Sequence, residues 1–119
     1  MYEQEYKAFV DRLATGEPIS GEEVGKLIVR FAQYFGEAIK SLTSAEFGYR
    51  KKIVEYEKSS DENGKPFSSA KAESFAQATP EYQAYIIAKG DVATIEQQIN
   101  ALKALQKGVS NDFAYQGGN

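Results

Sequence analysis

Apolar residues recur every three or four positions along most of the chain, and this spacing predicts a helical protein. The first such stripe covers about three helical turns and is followed by Thr15 and Gly16. Glycine tolerates the left-handed backbone conformation found just past helix ends, so this pair is typical of a helix C-terminus. We therefore predict a short N-terminal helix over residues 2–14.

The segment that follows carries the longest regular pattern in the sequence. Ser20 and Glu23 match a capping box, in which the Ser20 hydroxyl accepts from the Glu23 amide and the Glu23 carboxylate reaches back to the Ser20 amide. Steps of four and three then link Val24, Ile28, Phe31, Phe35, Ala38, Leu42, Ala45, Tyr49 and, beyond an interruption at Lys52, Tyr56. Such a repeat predicts one long helix over residues 21–59 whose apolar seam faces a partner helix.

A turn and two further helices are predicted after this long helix. Residues 60–67 contain Asn63-Gly64 and Pro66, which favour a turn, and a short helix follows over 69–78. Thr79 is a suitable N-cap and Pro80 a suitable first residue for a second long helix over 80–114. Its seam comprises Tyr85, Ala88, Val92, Ile95, Ile99, Leu102, Gln106, Val109 and Phe113.

Two long helices joined by a short turn predict a single all-α domain over residues 1–119, built as a long antiparallel helical hairpin of coiled-coil type. The hairpin leaves apolar surface over, including the N-terminal helix. Either that helix folds back as a third rod or copies of the chain associate, and both can hold. Because large exposed apolar patches are unusual for monomers, we expect a homo-oligomer. The interior glycines either face the partner helix or face solvent, and the sequence leaves this open.

Composition excludes several classes of function. The 119 residues contain no cysteine, histidine or tryptophan, which excludes disulfides, thiolate and histidine catalysis, and nearly every zinc, haem or iron–sulfur site. We expect no metal and no other cofactor. The apolar runs are too short to span a membrane, and the N-terminal residues lack the features of a secretion signal. The expectation is a cytoplasmic protein of a bacterium or a phage-infected cell, with no membrane partner.

Two short motifs hint at chemistry without supporting it. Ser68 and Lys71 have the Ser-x-x-Lys spacing of some acylases, but the accompanying motifs are missing and a serine N-cap explains the pattern. Asp61 to Gly64 hints at a calcium loop, but the glycine falls at the wrong position and turn chemistry suffices. We predict no catalytic residues and a protein that is not an enzyme.

One dense basic cluster stands out against a net charge of −3, which itself argues against a dedicated duplex-DNA binder. The cluster comprises Arg50, Lys51, Lys52, Lys58 and Lys65. It is either an ordinary solvated helix face or a phosphate-binding patch. Two tyrosines, Tyr49 and Tyr56, could stack on bases as in single-strand binders, although their place on the seam favours a core role.

The arrangement of residues 24–113 resembles the phage recombination-mediator family. The elements that carry the likeness are the stretch from Arg50 to Tyr56, the turn Asn63-Gly64-Lys65, the helical start Lys71-Ala72-Glu73 and the segment from Ala101 to Leu105. The resemblance implies a helical protein that assembles into rings and helps to load a recombinase on single-stranded DNA coated by a single-strand-binding protein. It also implies DNA-backbone contacts by Arg50 and Lys52, supported by Lys51 and Lys58.

Two hypotheses of function remain. In the first, the protein is a non-catalytic oligomer that binds single-stranded DNA and assists phage-type recombination or replication, with a recombinase or single-strand-binding protein as partner. In the second, it is a structural or adaptor protein that acts through protein–protein contacts with no nucleic acid.

Overall fold

The computed structural model describes the backbone of residues 1–117 and the side chains of residues 1–109. Within that part the chain forms four helices, namely α1 (Tyr2–Ala14), α2 (Gly21–Glu57), α3 (Ser69–Ala76) and α4 (Pro80–Gly117). The long helix α2 packs against both α3 and α4, through ring contacts such as Tyr56 with Phe75 and Tyr49 with Tyr85. The predicted all-α helical hairpin is therefore confirmed.

The helix ends follow from local capping groups. The Ser20 hydroxyl accepts a hydrogen bond from the Glu23 amide (3.1 Å) and begins α2, as predicted. The predicted return hydrogen bond from the Ser20 amide to the Glu23 carboxylate was wrong, because this carboxylate accepts from the Arg12 guanidinium at 2.6 Å. A charge-assisted hydrogen bond is stronger than one to a neutral amide, so Arg12 competes successfully for this carboxylate.

Two helices end two residues earlier than the sequence pattern suggests. The helix α2 ends at Glu57, where the Ser59 amide donates to the Tyr56 carbonyl in a tighter turn. The helix α3 ends at Ala76, where the Thr79 amide donates to the Ala76 carbonyl. In both cases the hydrogen bond joins residues three positions apart, as in a 3₁₀ turn. Such bonds satisfy the last carbonyl groups of an α-helix at its C-terminus. The helix α4, in contrast, continues to Gly117, three residues further than predicted.

The contacts within the chain divide it into two compact units, to which both long helices contribute. One unit comprises Met1–Gly36 together with the part of the chain that begins at Ala93, and the other comprises Glu37–Val92. We refer to them as the α1 unit and the α3 unit, after the helix that is found in each alone.

The core of the α1 unit joins the first half of α2 to the second half of α4. Its fully buried large side chains are Phe31, Ile95, Leu102 and Val24. At its end the Gln106 amide nitrogen on α4 donates to the Gly21 carbonyl on α2 at 3.2 Å. The second half of α4 thus meets the start of α2, as an antiparallel pair requires.

The N-terminal helix is a third rod of this unit, which was one of the two outcomes left open by the sequence. The Tyr6 ring lies 6.0 Å from the Phe31 ring, and the Tyr34 hydroxyl donates to the Glu5 carboxylate at 2.9 Å. Arg12 adds ion pairs to Glu17 and Glu23. Self-association, the other outcome, stays a prediction.

The core of the α3 unit is largely aromatic. Tyr49 of α2 is buried, stacks on Tyr85 of α4 at 5.4 Å between ring centroids, and approaches Tyr82 to 4.9 Å. Three small residues, Ala72 and Ala76 of α3 and Ala88 of α4, are also buried. Alanines at these positions let α3 lie close to the long helices.

The predicted seam residues of both long helices are buried or half-buried wherever the structure describes their side chains. On α2 this holds from Val24 to Tyr56, and on α4 from Tyr85 to Val109. Phe113, the last predicted seam residue, lies outside the described side chains. The four-three repeat therefore predicted the correct phase of each helix.

Candidate nucleic-acid interface

All five predicted binding residues fall in the α3 unit. Four lie on the last two turns of α2 or just after it, and Lys65 lies in the turn before α3. They differ in whether a neighbouring carboxylate already neutralises the charge, and this difference separates them into two groups.

Arg50 is bound by an acidic neighbour. Its guanidinium donates two hydrogen bonds to one oxygen of Glu46, at 3.1 Å from Nε and 2.9 Å from Nη2. The hydrogen bond to Glu46, supported by the charge of that carboxylate, raises the pKa of the Arg50 guanidinium above its usual value. The guanidinium stays charged, but the neighbouring Glu46 carboxylate offsets part of its positive charge.

Lys52 is likewise paired and is also partly covered. Its ammonium lies 3.1 Å from a Glu55 oxygen, and 34% of its side chain is exposed. The Glu55 hydrogen bond, with further attraction from Glu55 and Glu81, raises the pKa of the Lys52 ammonium. Lys52 is a polar residue close to the seam, and the half-buried Ile53 lies one residue further along.

Lys51, Lys58 and Lys65 form the second group. Each is exposed, and among the side chains of residues 1–109 none of the three ammonium groups forms an ion pair. From the sequence, Glu55 could be expected to weaken the row formed by Lys51 and Lys58. In the structure Glu55 pairs with Lys52 instead, which leaves that row unneutralised.

Lys51 and Lys58 belong to a longer exposed row that follows α2 and ends one residue beyond it. The exposed residues Lys40, Phe47, Lys51, Val54 and Lys58 are spaced seven, four, three and four apart, and we call them the outer face. A spacing that averages about 3.6 residues puts them on one side of the helix, opposite the seam. The row runs about 27 Å at 1.5 Å per residue.

Three members of this row, Lys40, Phe47 and Val54, were not among the predicted binding residues. The prediction relied on basic residues that are adjacent in sequence and on aromatic residues close to them. Both criteria point to the stretch around Arg50. Phe47 is 71% exposed, which is far from the usual environment of a phenylalanine. The row lies on the side of the helix opposite the seam. The four-three spacing that identified the seam, applied to that opposite side, would have identified this row as well.

The two tyrosines considered for base stacking have a structural role. Tyr49 is buried between Tyr82 and Tyr85, and Tyr56 is half-buried with its ring 5.6 Å from the Phe75 ring. The core interpretation is therefore confirmed for both. Phe47 takes their place as the aromatic group beside the basic residues.

The turn that carries Lys65 is held by a side chain of its own. The Asp61 carboxylate accepts hydrogen bonds from the Asn63 and Lys65 amides at 2.8 and 2.9 Å, and Gly64 adopts a φ of 78° that favours glycine. Asp61 thus acts as a turn residue. Ser68, whose spacing to Lys71 resembled an acylase motif, caps α3 by accepting from the Lys71 amide at 3.1 Å.

Comparisons with protein families, with curated proteins and with solved structures find no match. The resemblance to phage recombination mediators stays a prediction. No helix within the described residues is both long and apolar enough to cross a membrane.

The outer face combines two features used to bind single strands. Ammonium groups without a carboxylate partner can bind phosphate oxygens, and an exposed aromatic ring between them can stack on a base. A helix surface of this kind reads no base edges, so it is suited to binding without sequence preference.

Proposed function

We propose that this protein is a non-catalytic, oligomeric helical protein that binds single-stranded DNA and assists phage-type recombination or replication as a mediator. The observation that carries the proposal is the outer face, where Lys40, Lys51 and Lys58 alternate with the exposed Phe47 and Val54. The resemblance to recombination mediators supplies the biological context, with a recombinase or a single-strand-binding protein as the protein partner.

The binding mode follows from the spacing along α2. The three lysines contact non-adjacent phosphates of one extended strand, and Phe47 stacks on a base between them. Lys65 extends the contact into the turn. Arg50 and Lys52 make the smaller contribution, because the carboxylate of Glu46 or Glu55 already offsets much of the charge of each.

The test compares two double variants for binding to a fluorescent single-stranded oligothymidine at low salt. The change Lys51→Ala with Lys58→Ala removes two unpaired cations and weakens binding by about tenfold or more. The change Lys7→Ala with Lys26→Ala removes the same charge from two exposed, ion-paired lysines of the α1 unit and serves as the matched control. It leaves binding within about twofold.

A third variant separates the outer face from the residues implied by the resemblance. The change Arg50→Ala with Lys52→Ala weakens binding less than the change at Lys51 and Lys58, if the outer face is the binding surface. Equal losses for the outer-face variant and the control would contradict the proposal, as would a wild-type protein that binds no oligonucleotide at low salt.

The second candidate function, an adaptor that acts through protein contacts alone, is favoured by one observation. Ile87 on α4 is 65% exposed, beside the partly exposed Ile86. A contiguous exposed apolar patch marks a protein-binding surface, and these two isoleucines would form part of one. This candidate would be favoured by a wild-type chain that has no affinity for single strands but binds a protein partner, provided that Ile87→Ser abolishes the binding.

A further inference from the structure

The α1 unit contains an apolar groove of about 440 Å³ that the N-terminal helix does not cover. Its apolar lining consists of Ile28, Ala32 and Phe35 from α2 and Ile99 from α4. The side chains that α1 contacts on α2, such as Phe31 and Tyr34, lie in other positions around the helix. The unit is therefore a three-helix arrangement with room for another helix beside α2 and α4.

The α4 rim of this groove carries opposite charges two turns apart. Glu96, Asn100 and Lys103 line it, spaced four and three residues apart on one face of the helix. Glu96 and Lys103 are exposed, and neither forms an ion pair among the side chains that the structure describes. At about 10 Å along the helix axis they are too far apart to pair with each other.

Along α4 the negative residue comes first and the positive residue second. A second α4 that runs in the opposite direction therefore places its positive residue beside the negative residue of the first. If a second α4 lies antiparallel across the first, with a twofold axis near Asn100, Glu96 of each copy faces Lys103 of the partner subunit. The two Asn100 amides meet at the axis, where each can donate to the other and accept from it. Such a contact uses one patch on both copies, which is how twofold interfaces are built.

We propose that the groove lined by Ile28, Phe35 and Ile99 is the interface of a twofold-symmetric homodimer, in which α4 of a second copy of this chain covers it and Glu96 pairs with Lys103. Burial of the groove supplies the affinity, and the two ion pairs fix the antiparallel direction. This inference identifies the interface of the oligomer that the proposed function includes, and it does not depend on nucleic-acid binding, since the outer face lies in the α3 unit.

Charge reversal tests the interface by sedimentation equilibrium of the full chain. Either Glu96→Lys or Lys103→Glu alone creates two like-charge contacts across the axis and raises the dimer dissociation constant by about tenfold or more. The double variant Glu96→Lys with Lys103→Glu restores the wild-type constant. A one-to-one mixture of the two single variants also restores it, because every contact then joins opposite charges.

Glu73→Lys is the control, since it changes the net charge as Glu96→Lys does at an exposed position of α3. It leaves the dissociation constant unchanged. Circular dichroism checks that each variant keeps its helix content, and both altered rim residues are exposed. A second variant, Phe35→Asp, places a charge in the groove and is expected to prevent the dimer.

Three results would overturn the proposal: a wild-type chain that stays monomeric at every concentration measured, single reversals that associate as the wild type does, or a mixture that does not recover. The first would leave the groove to another protein or to no occupant. The oligonucleotide assay is separate, so loss of the dimer with intact DNA binding, or the reverse, shows which proposal has failed.

Discussion

At the scale of single residues, two phenylalanines of the same helix have opposite environments. Phe31 is fully buried and its ring lies 6.0 Å from Tyr6 and 5.5 Å from Tyr34, whereas Phe47 is 71% exposed. Their separation of sixteen positions corresponds to about four and a half turns, which moves the side chain to the other side of the helix. Helix phase, rather than residue type, decides which of the two stabilises the fold.

Replacing each phenylalanine by alanine should therefore give very different results. Phe31→Ala lowers the free energy of unfolding by about 3–5 kcal/mol, because it removes a buried ring and leaves a cavity. Phe47→Ala, the matched control, changes it by less than about 0.5 kcal/mol. Urea unfolding followed by circular dichroism measures both. Similar values for the two variants would contradict the difference in burial between these side chains.

At the scale of elements, the repeat predicted which helices exist and which side of each is buried, because periodicity depends only on neighbours in sequence. It could not predict contacts between distant residues. The bond from Gln106 to the Gly21 carbonyl joins positions 85 apart, and it explains why a polar residue occupies a seam position. The competition of Arg12 for Glu23 also required the packing of α1 against α2.

The candidate site shows the same division. Arg50, Lys51 and Lys52 were predicted because they are adjacent in sequence. In the helix they lie on different sides, and carboxylates partly neutralise Arg50 and Lys52. The outer face depends on periodicity, and periodicity could have revealed Lys40 and Phe47 from the sequence alone. Which lysines lack a carboxylate partner could not be predicted, since Glu55 has several basic neighbours within helical reach and the structure pairs it with Lys52.

The interior glycines of α2 provide a prediction at this scale. A Cβ atom at Gly25 would lie 2.9 Å from the Gln106 amide nitrogen, whereas at Gly36 it would meet nothing within 4 Å. Gly36→Ala should stabilise the protein by about 0.5–1 kcal/mol, because alanine is the better helix former.

At Gly25 the same gain should be offset by an opposing loss. Gly25→Ala displaces the Gln106 amide from the Gly21 carbonyl, and losing that hydrogen bond costs about 1 kcal/mol. The gain and the loss should nearly cancel. Thermal unfolding of the two variants checks the difference, and in the background Gln106→Ala, which has no amide to displace, Gly25→Ala should recover the stabilisation. Equal stabilisation by both alanines in the wild type would show that no close contact exists at Gly25.

At the scale of the whole molecule, the chain is acidic while the proposed binding surface is basic. The net charge of −3 repels a nucleic acid at long range, and the unpaired lysines of the outer face attract it at short range. Salt screens charges separated by more than about 10 Å at 0.1 M, so the long-range repulsion weakens first and the local contacts persist. The number of those contacts determines how binding responds to salt.

That number gives a quantitative prediction. If Lys40, Lys51, Lys58 and Lys65 each contact one phosphate, the logarithm of the binding constant falls with the logarithm of salt concentration with a slope of about −3 per chain, at roughly 0.7 per contact for single strands. Lys51→Ala with Lys58→Ala reduces the slope by about 1.4 in magnitude, because two ammonium–phosphate pairs are removed. Phe47→Ala weakens binding but leaves the slope unchanged, since stacking releases no counterions. Titrations of the oligothymidine at several salt concentrations measure all three slopes. An unaltered slope in the double lysine variant would mean that these ammonium groups do not touch phosphate and that the outer face is not where the strand binds.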